Sequence, residues 1–181
     1  MIIPITRDAF PSGTSHTFGY LNSEQELVFS QSADKAYSRA AGVPARVGQL
    51  DPSETRNLQK QTLNFNGNTI DTYVPAQNMS ISSGNFKPGF FLLLDQYRFS
   101  KQAATVEGSG YAGHEQQAVY NLIFQTNYVY WNPSTGETAG WGSARASVSI
   151  EGSVATREDL ADALSRTLED IARQGPARGN P

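Results

Sequence analysis

The chain contains no cysteine, which excludes disulfides, thiolate metal sites, iron–sulfur clusters and cysteine nucleophiles in one step. Histidine is nearly as scarce: only His16 and His114 are present, far apart and both in Gly/Ser-rich surroundings. Charge is thin, with 17 acidic and 14 basic side chains and a formal net charge of -3. No two basic residues are adjacent, so the electrostatic footprint of a nucleic-acid binder is missing. The longest apolar run, 90–94, falls far short of the roughly 20 residues that cross a bilayer as a helix.

What is abundant is neutral polarity. Ser, Thr, Asn and Gln supply 54 of 181 residues, while Lys is much rarer than Arg; a surface of this kind reads as exported, to the periplasm or the outer membrane. At 38% hydrophobic residues the chain can bury one core. It is read as a single α+β domain over 1–175 followed by a flexible tail over 176–181. The start, Met1-Ile2-Ile3-Pro4-Ile5, carries none of the features of a signal peptide, so an exported protein would have lost its signal, and a lipid-bearing cysteine could have gone with it.

Local patterns predict the elements. Ile2, Ile3, Pro4 and Ile5 suggest a short edge strand, and 7–22 reads as a loop. Good helix formers fill 32–41, with Gly42 and Pro44 as stop signals. Asp51-Pro52-Ser53-Glu54 is a helix start, which predicts a helix over 52–63. A turn at 64–68 and a short strand at 70–74 follow, inside a region that is irregular from 64 to 88. The strongest strand is 90–99, where Asp95 shares the parity of Phe91, Leu93, Tyr97 and Phe99. Segments 118–131 and 137–150 should form a long hairpin turning at Asn132-Pro133-Ser134-Thr135-Gly136. On its return arm the even positions, Gly140 to Ile150, are small or apolar and should face the core. Thr156 caps a final helix, 157–173, whose Leu160, Leu164, Leu168 and Ile171 form one stripe. The sum is a mainly antiparallel sheet with helices packed on one face, a two-layer sandwich.

Reactive constellations are few. Asp95 is expected where its strand face opens to water; the chemical alternative is a tuned acid working with His114 or Glu115 in an acidic pocket. Adjacent His114 and Glu115 would point to opposite faces of a strand and chelate poorly. Ser109, between Gly108 and Gly110, lacks the full nucleophile-elbow spacing, and the glycine-rich stretch lacks the lysine of a phosphate loop. No catalytic residue, metal or cofactor is therefore assigned. The aromatics Tyr128, Tyr130, Trp131 and Trp141 gather around the hairpin and are the candidate partner-binding residues, with cross-strand packing as the competing explanation.

The strand Phe91-Leu92-Leu93-Leu94-Asp95-Gln96-Tyr97, the turn Pro133-Ser134-Thr135-Gly136-Glu137, Trp141-Gly142 beyond it and the capped terminal helix together resemble small bacterial envelope lipoproteins. These are the kinds that assist lipopolysaccharide assembly, activate peptidoglycan synthases or serve as transporter auxiliaries. The resemblance spans 90–173 and is one of element order. It implies a periplasmic, non-enzymatic adaptor on the outer membrane that docks to a larger protein complex and needs no cofactor. No lipid-bearing cysteine is present here, and no binding residue carries over by position. The alternatives are a small-ligand carrier or hydrolase built around Asp95, and a structural subunit of a multimeric assembly.

Overall fold

The computed structural model describes residues 1–181 apart from 8, 9, 11, 66, 78, 105–118 and 177–181. Its elements run β1 (Ile2–Pro4), α1 (Ser23–Ala41), α2 (Pro52–Thr55), β2 (Leu58–Phe65), β3 (Asn68–Pro75), β4 (Phe91–Ala104), β5 (Val119–Asn132), β6 (Glu137–Glu151) and α3 (Arg157–Gln174). Four strands make one sheet in the order β1-β4-β5-β6, while β2 and β3 form a separate hairpin. Only β1 is parallel to its neighbour; β4, β5 and β6 form an antiparallel meander. Helices α1 and α3 cover one face, so the predicted α+β class holds. The hairpin β2–β3 lies over part of the other face.

Capping sets the helix boundaries. At α3 the Thr156 hydroxyl accepts from Asp159 N (3.2 Å) and the Asp159 carboxylate accepts from Thr156 N (2.8 Å), which satisfies two of the otherwise orphaned amides. Leu160, Leu164, Leu168 and Ile171 are buried as their spacing predicts, each worth about 1.5–3 kcal/mol of apolar burial. They pack on the small side of β6, where Ala144, Val148 and Ile150 are buried. Gly142 leaves room for a tyrosine ring, since a Cβ there would stand 2.8 Å from the Tyr128 hydroxyl. Helix α1 begins well before the predicted 32–41, because Asn22 and Gln25 form another reciprocal cap.

The helix expected over 52–63 is corrected. The Asp51 start signal works, with Glu54 accepting from Asp51 N at 2.7 Å, but the helix lasts one turn and the chain continues as β2. Leu58–Phe65 pairs along its whole length with Asn68–Pro75, closing on Gly67 at φ 81°. An Asn-Gly connection is the favoured two-residue hairpin turn, and the ladder it permits outweighs the good helix propensity of Gln59, Lys60 and Gln61. The short strand predicted at 70–74 is thus part of β3, which extends it to Asn68–Pro75 inside the region 64–88.

Two cores sit back to back across the sheet. Under the helices lie Leu92, Leu94, Tyr97, Phe124, Tyr128 and Tyr130; on the hairpin side lie Ile3, Ile5, Tyr73, Phe91, Leu93, Val129 and Trp131. Strand β4 changes allegiance between them at a bulge: Asp95 pairs with Asn127, but Arg98 pairs with Gln125. Gln96 is the surplus residue, at φ 51°, a left-handed conformation that side chains other than glycine seldom adopt. Asp95 thus stays on the side of Phe91 and Leu93, whereas Tyr97 and Phe99 join the helix-side core. This corrects the single face expected from sequence parity, because a bulge inserts one residue without a partner and resets the alternation.

Candidate functional site

Asp95 was expected at the water-facing end of its strand; it is instead wholly buried. A carboxylate in such a place must be paired or hydrogen-bonded. His16, from the loop before α1, brings Nε2 to 2.8 Å from Asp95 Oδ2, and an N–H there donates to the carboxylate. Thr72 of β3 donates its hydroxyl to the same oxygen at 3.0 Å, while the bulge turns the Gln96 N–H onto Oδ1 at 2.8 Å. Burial raises the Asp95 pKa above its ordinary value; His16, Thr72 and the Gln96 amide act in the opposite direction without cancelling it.

Aromatic rings close the site. The His16 ring stands edge-on to Phe18 and Tyr73, at centroid distances of 4.8 and 4.9 Å, and Phe10 packs on both Phe18 and Tyr73. Burial, with Asp95 adding its charge, raises the Tyr73 pKa. An open polar cleft of about 440 Å³ lies outside, with Ser15, Lys60, Asp71 and Gln96 along it. His16 borders this cleft, yet its side chain is only 2% exposed and that of Asp95 1%. The pair ties the loop at 12–20, the hairpin and the main sheet together. Lys60 Nζ donating to Ser15 O at 3.0 Å strengthens the same junction. The expected acid–base companions His114 and Glu115, like Ser109, lie outside the described residues. Among the described residues no group of three or more His, Asp or Glu converges to hold a metal.

The four partner-binding candidates divide between the two cores. Tyr128 and Tyr130 point under α3, and Trp131 joins the hairpin-side core; all three are at most 5% exposed. Tyr130 donates its hydroxyl to Ile171 O (3.0 Å), so the Tyr37 hydroxyl, 2.9 Å away, donates to Tyr130. Burial and this arrangement raise the Tyr130 pKa strongly. The Trp131 indole N–H is buried without a hydrogen-bond partner among the described residues. Trp141, half-buried, packs against the hairpin-side core. Tyr128, Tyr130 and Trp131 are therefore covered within the chain, while Trp141 keeps part of its surface open. Pro133, Ser134 and Thr135 form the exposed turn beside them.

The open surface is the edge behind them. β6 is the outermost strand of the sheet, and of its 15 residues all but Ala139, which bulges, pair with β5, on one side only. Ser143, Arg145, Ser147, Ser149 and Glu151 alternate as exposed positions along it. The chain leaving β6 turns inward at Gly152, φ 78°, and the Ser153 carbonyl accepts from Lys101 Nζ of β4. The outer edge is left uncovered by that segment. A separate apolar cavity of about 470 Å³ lies between Ile2, Val43, Phe86, Phe90 and the Tyr37–Tyr130 pair, whose hydroxyl protons are both already donated.

No helix among the described residues is long and apolar enough to cross a membrane. No protein-family model matches the chain, and no curated protein matches it. Among solved structures it is similar to a minor lipoprotein from Acinetobacter baumannii, with a TM-score of 0.36 and 10% identity over 96% of this chain and 86% of that one. A likeness of that degree assigns neither activity nor partner nor compartment.

Proposed function

We propose that the chain is an exported, non-enzymatic adaptor of the cell envelope, periplasmic or bound to the outer membrane, that docks to a larger protein complex by accepting a strand on β6. The observation that carries this reading is the edge itself. A long outer strand offers a row of free backbone N–H and C=O groups, and proteins that do not use such an edge blunt it with proline, lysine or a short length. Beyond its bulge at Ala139, from Gly140 to Ile150, β6 has no proline, no lysine and one charge, Arg145. Main-chain hydrogen bonds would give affinity, and alternate side chains would give specificity.

The polar composition supports export, and the order of elements supports the envelope setting. The burial of Asp95 and His16 supports a holding role for them, since a reacting group would need a route to side chains almost without exposure. A photo-cross-linking amino acid placed in turn at Ser143, Ser147 and Ser149, in cells, tests the docking edge. Cross-links to a discrete protein from these positions, absent from Ser30 on the exposed side of α1, are expected. Equal or absent cross-linking at both surfaces would remove the adaptor reading, and recovery of the protein with the cytosol would remove the envelope setting.

A further inference from the structure

The chemistry along β6 also specifies a partner for that edge. We propose that β6 pairs antiparallel with β6 of a second copy, in the register centred on Val148. The inference rests on the reading of β6 as an open docking edge, which a second copy and a strand of the larger complex occupy in turn.

Side-chain parity restricts the registers. In a two-fold antiparallel pair, opposed residues share a face of the sheet, so the centre must fall on a residue and not between two. Centring on Arg145 would set two arginines directly opposite, which is unfavourable. Centring on Ala146 or Ser147 leaves Arg145 opposite a serine. A centre at Trp141 would pair Arg145 with Glu137, but it runs through the bulge at which Trp131 pairs with Thr138 and Tyr130 with Gly140. Centring on Val148 sets Arg145 opposite Glu151 of the other copy, twice by symmetry.

The remaining pairs agree with that choice. Ser147 meets Ser149 on the exposed face, while Ala146 meets Ile150 and Val148 meets Val148 on the face beneath the helices, where Val148 and Ile150 are already buried. Polar residues meet polar, apolar meet apolar, and the one cation meets an anion. The two-fold keeps both helix layers on one side. α3 packs on both β5 and β6; with its axis midway between them, a strand spacing of about 4.8 Å sets the two α3 axes about 10 Å apart, the separation of packed helices.

The absence of cysteine makes the register directly readable. Single variants Ser147→Cys and Ser149→Cys, mixed and oxidised, should give a disulfide-linked species of twice 19.7 kDa, with much less from either variant alone. Sedimentation velocity provides the second test. Arg145→Glu and Glu151→Arg should each weaken self-association by about tenfold or more. An equimolar mixture of the two should restore it, because all four opposed positions then carry opposite charges. Self-association indifferent to both charge reversals, or equal cross-linking from every cysteine pair, would overturn the register. A chain that stays monomeric, while the photo-cross-linker on β6 still captures a different protein, would overturn the second copy and leave the adaptor reading standing. Silence from β6 in both experiments would end both.

Discussion

Asp95 shows how one residue can be evident in sequence and its setting concealed. A carboxylate within Phe91-Phe99 stands out, and buried charge requires a partner, yet nothing local names His16, 79 positions away. The aromatic loop that brings His16 in, with Phe10 and Phe18, has no periodicity to announce it. The raised pKa has a consequence for stability. Because the folded chain holds the Asp95 proton to higher pH than the unfolded chain, the native state binds more protons between the two values, and stability falls as pH rises through that window. Asp95→Asn removes the titration. Urea midpoints from acid to neutral pH should therefore show the wild type losing ground to this variant as pH rises, with the Asp95 contribution fully present below the ordinary aspartate range. A gap between the two proteins that does not change with pH would show that Asp95 titrates alike in both states.

Elements that rest on a single strong local pattern are legible in the sequence alone. The stripe of α3, the small face of β6 and the turn at Asn132-Pro133-Ser134-Thr135-Gly136 each repeat one physical demand several times. Leu164 lies at the centre of that stripe with no exposed surface. Leu164→Ala should cost about 2–5 kcal/mol in chemical unfolding, against less than about 0.5 kcal/mol for Ser165→Ala at a partly exposed neighbouring position. β2 was illegible for the opposite reason: Gln59, Lys60 and Gln61 suit a helix and are exposed in the strand, so no apolar alternation marks it. Its identity comes from the partner strand beyond Gly67. The start of α1 was visible only as the pair Asn22 and Gln25, a short signal set in a polar stretch.

At the scale of the molecule, the two sheets differ in how they are held. Among the described residues the hairpin β2–β3 has no strand pairing with the four-stranded sheet; it is fastened by side-chain packing around Tyr73 and Val74 and by the Thr72 and Asp95 hydrogen bond. β4 and β5, by contrast, are paired on both sides over part of their length and packed on both faces. Regions with fewer cooperative ties open at lower free energy than the whole. Native-state hydrogen exchange should accordingly show the amides of β2 and β3 exchanging through a partial opening, while those of Leu93, Leu94, Phe124 and Val129 exchange only with global unfolding. A common free energy for both groups would mean that the hairpin and the sheet unfold as one unit.

The surplus residue of β4 has a further implication. Were Gln96 deleted, Asp95, Tyr97, Arg98 and Phe99 would fall into unbroken alternation, and no side chain would have to change sides. Both cores could keep their present membership on a plain ladder. What the shortened chain would forfeit is one main-chain N–H aimed at a carboxylate oxygen, together with the tether from the Gln96 amide to Asp71 O. The irregularity is thus dispensable to the architecture and specific to a single buried anion.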